Sequence, residues 1–258
     1  MARLYPLFSS SSGNCTYIGS STAGILIDDG VSFTRLKNAL EINGLSLSSV
    51  KAIFITHEHS DHIKGLDMIT KKTSIPVFAQ EKTMEYLLRK EMLHGEYHVI
   101  GQGEEVCGYR VEPFETSHDT PQSCGYKIFL PGGKTAAVCT DLGYVSDIVE
   151  TALLGTDCVL LESNYDIEML RNGSYPYYLK TRIFGNTGHL SNKDSGDFAA
   201  RLVKNGTTRI ILGHLSQQNN TPETAEKTVL SCLGKFKRNS DYILDIAPVE
   251  TAGKFISF

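Results

Sequence analysis

The sequence predicts an α/β fold in which two mixed β sheets pack face to face under outer helices, an αββα sandwich. Three observations carry this expectation. Short apolar, β-branched runs alternate with amphipathic stretches of helical spacing. Both halves of the chain are strand-rich and each has its own helices, which suits two covered sheets. Residues able to bind a metal recur at the ends of the expected strands, as they would if one edge of the sandwich gathered a site.

Of the 258 residues, 41% are hydrophobic and 21% charged, an ordinary balance for a globular chain, and we expect one domain over 1–258. No apolar run approaches the roughly 20 residues of a membrane span. No sustained apolar signal region follows Met1, so a cytoplasmic location is expected. Six cysteines (Cys15, Cys107, Cys124, Cys139, Cys158, Cys232) lie far apart without a C-x-x-C pair and read as buried thiols of a reducing compartment. A net charge of −4 excludes a surface coated in basic residues, so any nucleic acid must be held locally.

In chain order, residues 4–8, 15–18 and 24–28 read as three strands of an antiparallel meander. Ser9 to Asn14 between the first two read as a polar loop. Its hydroxyls and N–H groups could hold a phosphate, which makes Ser12 and Asn14 candidate substrate contacts; a plain turn is the competing reading. Asp28 could orient a metal-binding histidine, while Asp29 could cap a helix. That helix is expected over 33–40, with Ser32 as N-cap and Gly44 beyond its end.

Residues 50–56 form a buried strand that delivers Thr56-His57-Glu58-His59-Ser60-Asp61-His62. His57 and His59, two residues apart, can offer two neutral imidazoles to one cation. Asp61 and His62 turn away toward a second cation as a helix begins over 63–68. This density of ligands directly after a buried strand is too great for a solvated turn.

A strand at 76–79 and a helix over 82–92 follow, and His94 and His98 read as surface residues. A strand over 106–114 leads to His118, a third imidazole for the first cation, which leaves one position open for catalysis. A hairpin pairs 125–130 with 135–139 and ends at Asp141, which could bridge both cations or merely cap a helix over 144–154. Residues 158–163 are an almost wholly apolar strand. Tyr175, Tyr177 and Tyr178 then stand beside Lys180 and Arg182; aromatic faces stack on bases while cations hold phosphates, so Tyr177, Lys180 and Arg182 are candidate contacts to a nucleic-acid strand. Tyrosines packed on a helix edge are the alternative. His189 precedes a helix running to 204, capped by Ser191 or Asn192, and so stands near any bound anion. The strand over 209–213 ends at His214, which can join Asp61 and His62. A last helix opens at Thr221, and 242–244 and 254–257 read as final strands.

The H-x-H-x-D-H motif at 57–62, followed by His118, Asp141 and His214, resembles the metallo-β-lactamase fold superfamily along nearly the whole chain. Ser-Ser-Gly-Asn-Cys-Thr-Tyr at 11–17, Glu-Ser-Asn at 162–164, Asn-Gly-Ser-Tyr-Pro at 172–176 and Gly-His-Leu-Ser-Asn at 188–192 resemble its YycJ/WalJ branch of 5′-to-3′ DNA exonucleases. Asn164 joins the expected substrate contacts through the second of these. His189 takes the place, in sequence order, of an extra histidine carried by related nucleases of the RNase Z and RNase J type.

The resemblance implies a hydrolase with two divalent cations, Zn2+ or Mn2+, acting on DNA rather than RNA. A hydroxide bridging the cations would attack the phosphodiester, with Asp61 orienting it and His189 stabilising the phosphate or protonating the leaving oxygen. Fold membership alone does not choose a substrate. A cyclic-phosphate phosphodiesterase, a glyoxalase-II-like thioesterase and an RNA-processing nuclease stand as alternatives.

Overall fold

The computed structural model describes residues 2–258. The first sheet contains β1 (Arg3–Ser10), β2 (Gly13–Gly19), β3 (Gly24–Ile27), β4 (Val50–Ile55), β5 (Val77–Ala79) and β6 (Tyr97–Val99). The second contains β7 (Glu104–Val106), β8 (Tyr109–Glu115), β9 (Cys124–Phe129), β10 (Thr135–Cys139), β11 (Cys158–Glu162), β12 (Arg209–Gly213) and β13 (Ile243–Ile246), while β14 (Ile256–Ser257) returns to the edge of the first. The helices are α1 (Phe33–Ile42), α2 (Ser60–Ile63), α3 (Leu66–Lys72), α4 (Glu81–Arg89), α5 (Asp147–Leu153), α6 (Ile167–Asn172), α7 (Tyr177–Phe184), α8 (Asn192–Lys204) and α9 (Pro222–Cys232).

Each sheet has seven strands and is mixed: an antiparallel meander (β1 to β3, β7 to β10) leads into parallel strands (β3 to β6, β10 to β13). Period-two geometry explains why the central strands are apolar throughout. In β4, Ala52 and Phe54 face the other sheet, whereas Ile53 and Ile55 pack with Leu36, Leu40, Leu66 and Leu87 of the outer helices. In β11, Cys158 and Leu160 face inward and Val159 and Leu161 meet Phe198, Leu202 and Val229 of α8 and α9. Two outer cores and one central core therefore give the αββα layering. No described helix is long and apolar enough to cross a membrane.

Where local structure departs from the sequence reading, the cause is turn chemistry. The 9–14 segment is not a loop: β1 runs to Ser10 and β2 starts at Gly13, leaving Ser11 and Ser12 as a tight hairpin turn. The single strand expected over 106–114 is two strands, reversed at Cys107 and Gly108, whose φ values of 50° and 82° are those of a tight hairpin turn. This leaves Cys107 exposed, and Cys232 is half-buried; the other four cysteines are buried. The helix expected over 144–154 starts only at Asp147, capped by Ser146, so Asp141 is not its cap. Asp29 does not cap α1 either: both its carboxyl oxygens are buried without a hydrogen-bond partner, and burial pushes its pKa up to about 8. The aromatic stretch at 174–182 is helical from Tyr177 on.

Candidate metal centre

The site lies where the parallel strands of both sheets end. β3 delivers Asp28, β4 leads to Thr56 and His57, β10 to Asp141, β11 ends in Glu162 and β12 leads to His214. Asp28, Asp141 and His214 adopt left-handed backbone conformations, with φ of 63°, 59° and 54°. Such conformations cost about 1–3 kcal/mol in a side-chain-bearing residue, least in Asp, Asn and His, and cluster where a site demands them. The 57–62 turn packs against β2 through Gly30, where an added Cβ would fall 1.7 Å from the Asp61 carbonyl oxygen.

The structure brings His57, His59 and His118 together: His57 Nε2 and His118 Nε2 lie 3.1 and 3.3 Å from His59 Nδ1. The outer nitrogens are committed. His57 Nδ1 is 3.0 Å from Thr56 Oγ1, whose own proton goes to Asp28, and His118 Nδ1 donates to the Gly188 carbonyl at 3.0 Å. Burial above all holds the three imidazoles neutral, His57 well below the usual histidine pKa. Neutral rings, those of His57 and His118 with their outer N–H groups engaged, point lone pairs at one another, which is repulsive until a cation sits among them.

Asp61, His62 and His214 form a second group. His62 Nδ1 donates to Asp28 Oδ2 at 2.8 Å, so Asp28 orients this ring. Asp141 lies between the groups: Oδ2 is 3.3 Å from His62 Nε2, and Oδ1 is 3.8 Å from His118 Nε2 and 3.4 Å from His214 Nδ1. Asp141 Oδ2 and His214 Nε2 are buried and have no hydrogen-bond partner, as metal-directed atoms would be. Four carboxylates, of Asp28, Asp61, Asp141 and Glu162, converge here, and among the described residues only histidines pair with them. Burial opposes charge on His214, yet Asp141, Asp61 and Glu162 outweigh it and lift its pKa to about 10. Protons on the histidines are one way to balance that charge; divalent cations on the same nitrogens are the other. The donor set fits them.

The sequence reading did not assign Glu162 a role. It is fully buried, and its Oε1 accepts from His189 Nδ1 at 2.9 Å and from His214 Nδ1 at 2.8 Å. Its Oε2 accepts the backbone N–H groups of Leu142 and Leu190. Burial opposes its charge, but His189 and His214 outweigh that and hold its pKa at about 2. One signal was legible: a charged residue ending an otherwise apolar strand is seldom buried unless paired. His189 itself lies between the two groups, 5.1 Å from the His118 ring and 5.4 Å from the His214 ring, with Nε2 left free of protein partners.

The expected substrate contacts are distributed unevenly. Ser12 is exposed at the hairpin tip, 2.8 Å from Ser10 Oγ. Asn14 is buried and faces the site, its Nδ2 at 3.2 Å from Asp61 Oδ2 and 3.1 Å from His62 Nε2. Asn164 is also buried, and its Nδ2 donates to the His214 carbonyl at 2.8 Å, steadying the loop after β12. Tyr177 is 85% exposed and Tyr178 74%, with Lys180 bonded to the Arg171 carbonyl and Arg182 to Asp119. Tyr177 and Tyr178 are therefore not packed, whereas Tyr175 rests against the Tyr165, Leu170 and Ile183 cluster. His94 and His98 pair with Asp67 and Glu96 away from the centre.

The family profile of the beta-lactamase superfamily domain matches residues 24–215. The chain is 36% identical over 231 residues to exodeoxyribonuclease YycJ of Bacillus anthracis, covering 88% of this chain and 87% of that one. It is 36% identical over 235 residues to exodeoxyribonuclease WalJ of Streptococcus pneumoniae, covering 89% and 87%. The fold is shared with Zn2+-bound PqqB from Methylobacterium extorquens, at a TM-score of 0.74 and 14% identity over 99% of this chain and 100% of that one. With its sandwich, its strand-end histidines and aspartates and these matches, the chain belongs to the metallo-β-lactamase superfamily.

Proposed function

We propose that this protein is a metal-dependent DNA exonuclease working in the 5′-to-3′ direction, and that residues 1–258 act as one domain. The observation that carries the reading is the joining of two ligand groups through Asp141, with the Glu162–His189 pair placed between them. The likeness to two exodeoxyribonucleases over most of both chains supports DNA as the substrate. In this reading His57, His59 and His118 hold one divalent cation, Asp61, His62 and His214 the other, and Asp141 both, with zinc or manganese as the metal. When bound, such cations supply an activated water at neutral pH and neutralise charge on the phosphate.

The chain's own residues do the rest. Asp61, which accepts from Asn14, orients the attacking water by accepting its hydrogen bond. His189, its Nδ1–H fixed on Glu162, presents Nε2 to the phosphate and can carry a proton to the leaving oxygen. Glu162 fixes the ring so that Nε2, and not Nδ1, faces the substrate. Tyr177 and Tyr178 offer stacking faces to the strand, and Lys180 and Ser12 offer donors to its phosphates. Asn14 and Asn164 act through the ligand residues they hold. Free thiols at all six cysteines support a reducing, cytoplasmic setting.

The test is a panel of 5′-labelled DNA, matched RNA, a cyclic nucleotide and a thioester, each offered to the purified protein with Mn2+ or Zn2+. Mononucleotides released from the 5′ end of DNA, faster than from any other substrate, are expected. Turnover confined to the thioester or the cyclic nucleotide would overturn the reading, and faster release from RNA would reassign the substrate.

A further inference from the structure

The loop after β12 and the segment after β13 enclose a cavity of about 430 Å3 that the chemistry above does not use. Its apolar walls include Leu215, Ile246, Pro248 and Val249, and neutral polar side chains, among them Ser9, Gln217 and Asn220, line the remainder. No acidic, basic or histidine side chain lines it, although it adjoins a centre crowded with such groups. Leu215 directly follows His214, and Ser9 Oγ accepts the His214 backbone N–H at 2.8 Å, so the cavity and the candidate metal centre share a wall.

We infer that this cavity receives the 5′-terminal nucleobase of the strand, a reading that rests on the proposed nuclease function. A phosphate seated here would find no countercharge, and an unpaired buried charge is strongly disfavoured. A flat heterocycle has apolar faces and a hydrogen-bonding edge, which matches apolar walls with a few polar groups. The cavity is preformed. Beneath it, Asn220 Nδ2 reaches the carbonyls of Ser163 and Asn164 and Asn192 Oδ1 at 2.9, 3.0 and 2.8 Å, and Asn164 in turn holds the His214 carbonyl. The far wall is pinned to β1, where Thr251 N donates to the Leu7 carbonyl at 2.8 Å and Glu250 forms a bridge with Phe8. That fixed wall is the stop the inference places at the end of the strand. The base in the cavity is then the last one, and the phosphodiester presented beside His214 is the first, which accounts for removal of single nucleotides from an end.

The experiment uses the full chain with its metal bound and DNA whose 5′-terminal linkages are non-hydrolysable phosphonates, so that binding is read without turnover. Single-stranded DNA carries 2-aminopurine at the 5′ terminus or at the third position. The terminal probe is expected to change its emission at least threefold more on binding. An oligonucleotide with an abasic 5′ terminus should bind about tenfold more weakly, as should ordinary DNA to Val249→Trp, which fills the cavity from its half-exposed rim. Equal emission changes, or an abasic end bound as tightly as a normal one, would overturn the inference; the abasic comparison needs no variant and stands even if Val249→Trp does not fold. On hydrolysable DNA, a protein that degrades the strand but treats both ends alike loses only the cavity assignment. One that degrades no DNA loses the nuclease reading and this inference together.

Discussion

Arg182 donates its Nε–H to Asp119 Oδ2 at 2.5 Å, latching α7 to the residue beside His118. The side chains are 48% and 29% exposed, so the pair contributes little to global stability, about 0–1 kcal/mol. Its effect is local order. Arg182→Ala should leave thermal unfolding nearly unchanged while speeding amide hydrogen exchange in α7 and raising KM for DNA. Unchanged exchange over residues 177–184 would show that the latch holds nothing.

Elemental analysis should find two divalent ions per chain. His57→Ala and His214→Ala should each lose about one of them, and Asp141→Ala should lose more than either. Metal that binds only the folded chain stabilises it by about 2.7 kcal/mol at a hundredfold excess over Kd, so a chelator should lower the wild-type melting temperature. Full metal content in His57→Ala would refute the ligand assignment.

His189→Ala should lower turnover by about 10²–10⁴-fold with both ions retained, since a positioned general acid is typically worth that much. Glu162→Gln should follow it in part, because a neutral amide holds the His189 Nδ1–H less firmly than the carboxylate does. Normal turnover in His189→Ala would remove the residue from the mechanism, whereas lost metal would make it a ligand.

Stacking of a base on an aromatic ring is worth about 1–3 kcal/mol. Tyr177→Ala should therefore weaken single-stranded DNA binding about 5–150-fold, without changing stability, because the ring is 85% exposed. Fluorescence polarisation at two salt concentrations reads this loss; a Kd within twofold of wild type would place the strand elsewhere.

Asp157 predicts an acid dependence remote from the metals. Burial raises its pKa, but bonds from Lys134 Nζ and from the Thr135 N–H and hydroxyl together outweigh this and hold it below the usual value. A carboxylate with a depressed folded pKa contributes stability that is fully present above its unfolded value near 3.9 and is lost as pH falls through the folded one. The melting temperature of wild type should exceed that of Asp157→Asn at pH 7, and the gap should shrink toward pH 3. A gap independent of pH would mean that the charge is not what stabilises.

How much of this was legible in the sequence depended on the range of the interaction. The His57 to His62 cluster, His118, Asp141 and His214 could be read because each follows an apolar run, and strand ends are a local property. The αββα layering followed from the same runs. Cys107–Gly108 was misread because a two-residue turn leaves the β-branched pattern on either side almost uninterrupted. The short edge strand β6 went unrecognised because all three of its residues are exposed and carry no alternation. Asn14 and Glu162 could be seen as residues but not in their contacts, since Asn14 meets Asp61 and Glu162 meets His214 only after both sheets are assembled.

The left-handed backbone at Asp141 makes the site open to a particular kind of engineering. Asparagine tolerates φ near 59° about as readily as aspartate does, whereas alanine or a β-branched residue would strain the turn. Asp141→Asn should thus preserve the loop while withdrawing the one carboxylate that faces both ligand groups. The product would be a folded, slow enzyme able to capture intact DNA, and so a reagent for seeing the whole path of the strand.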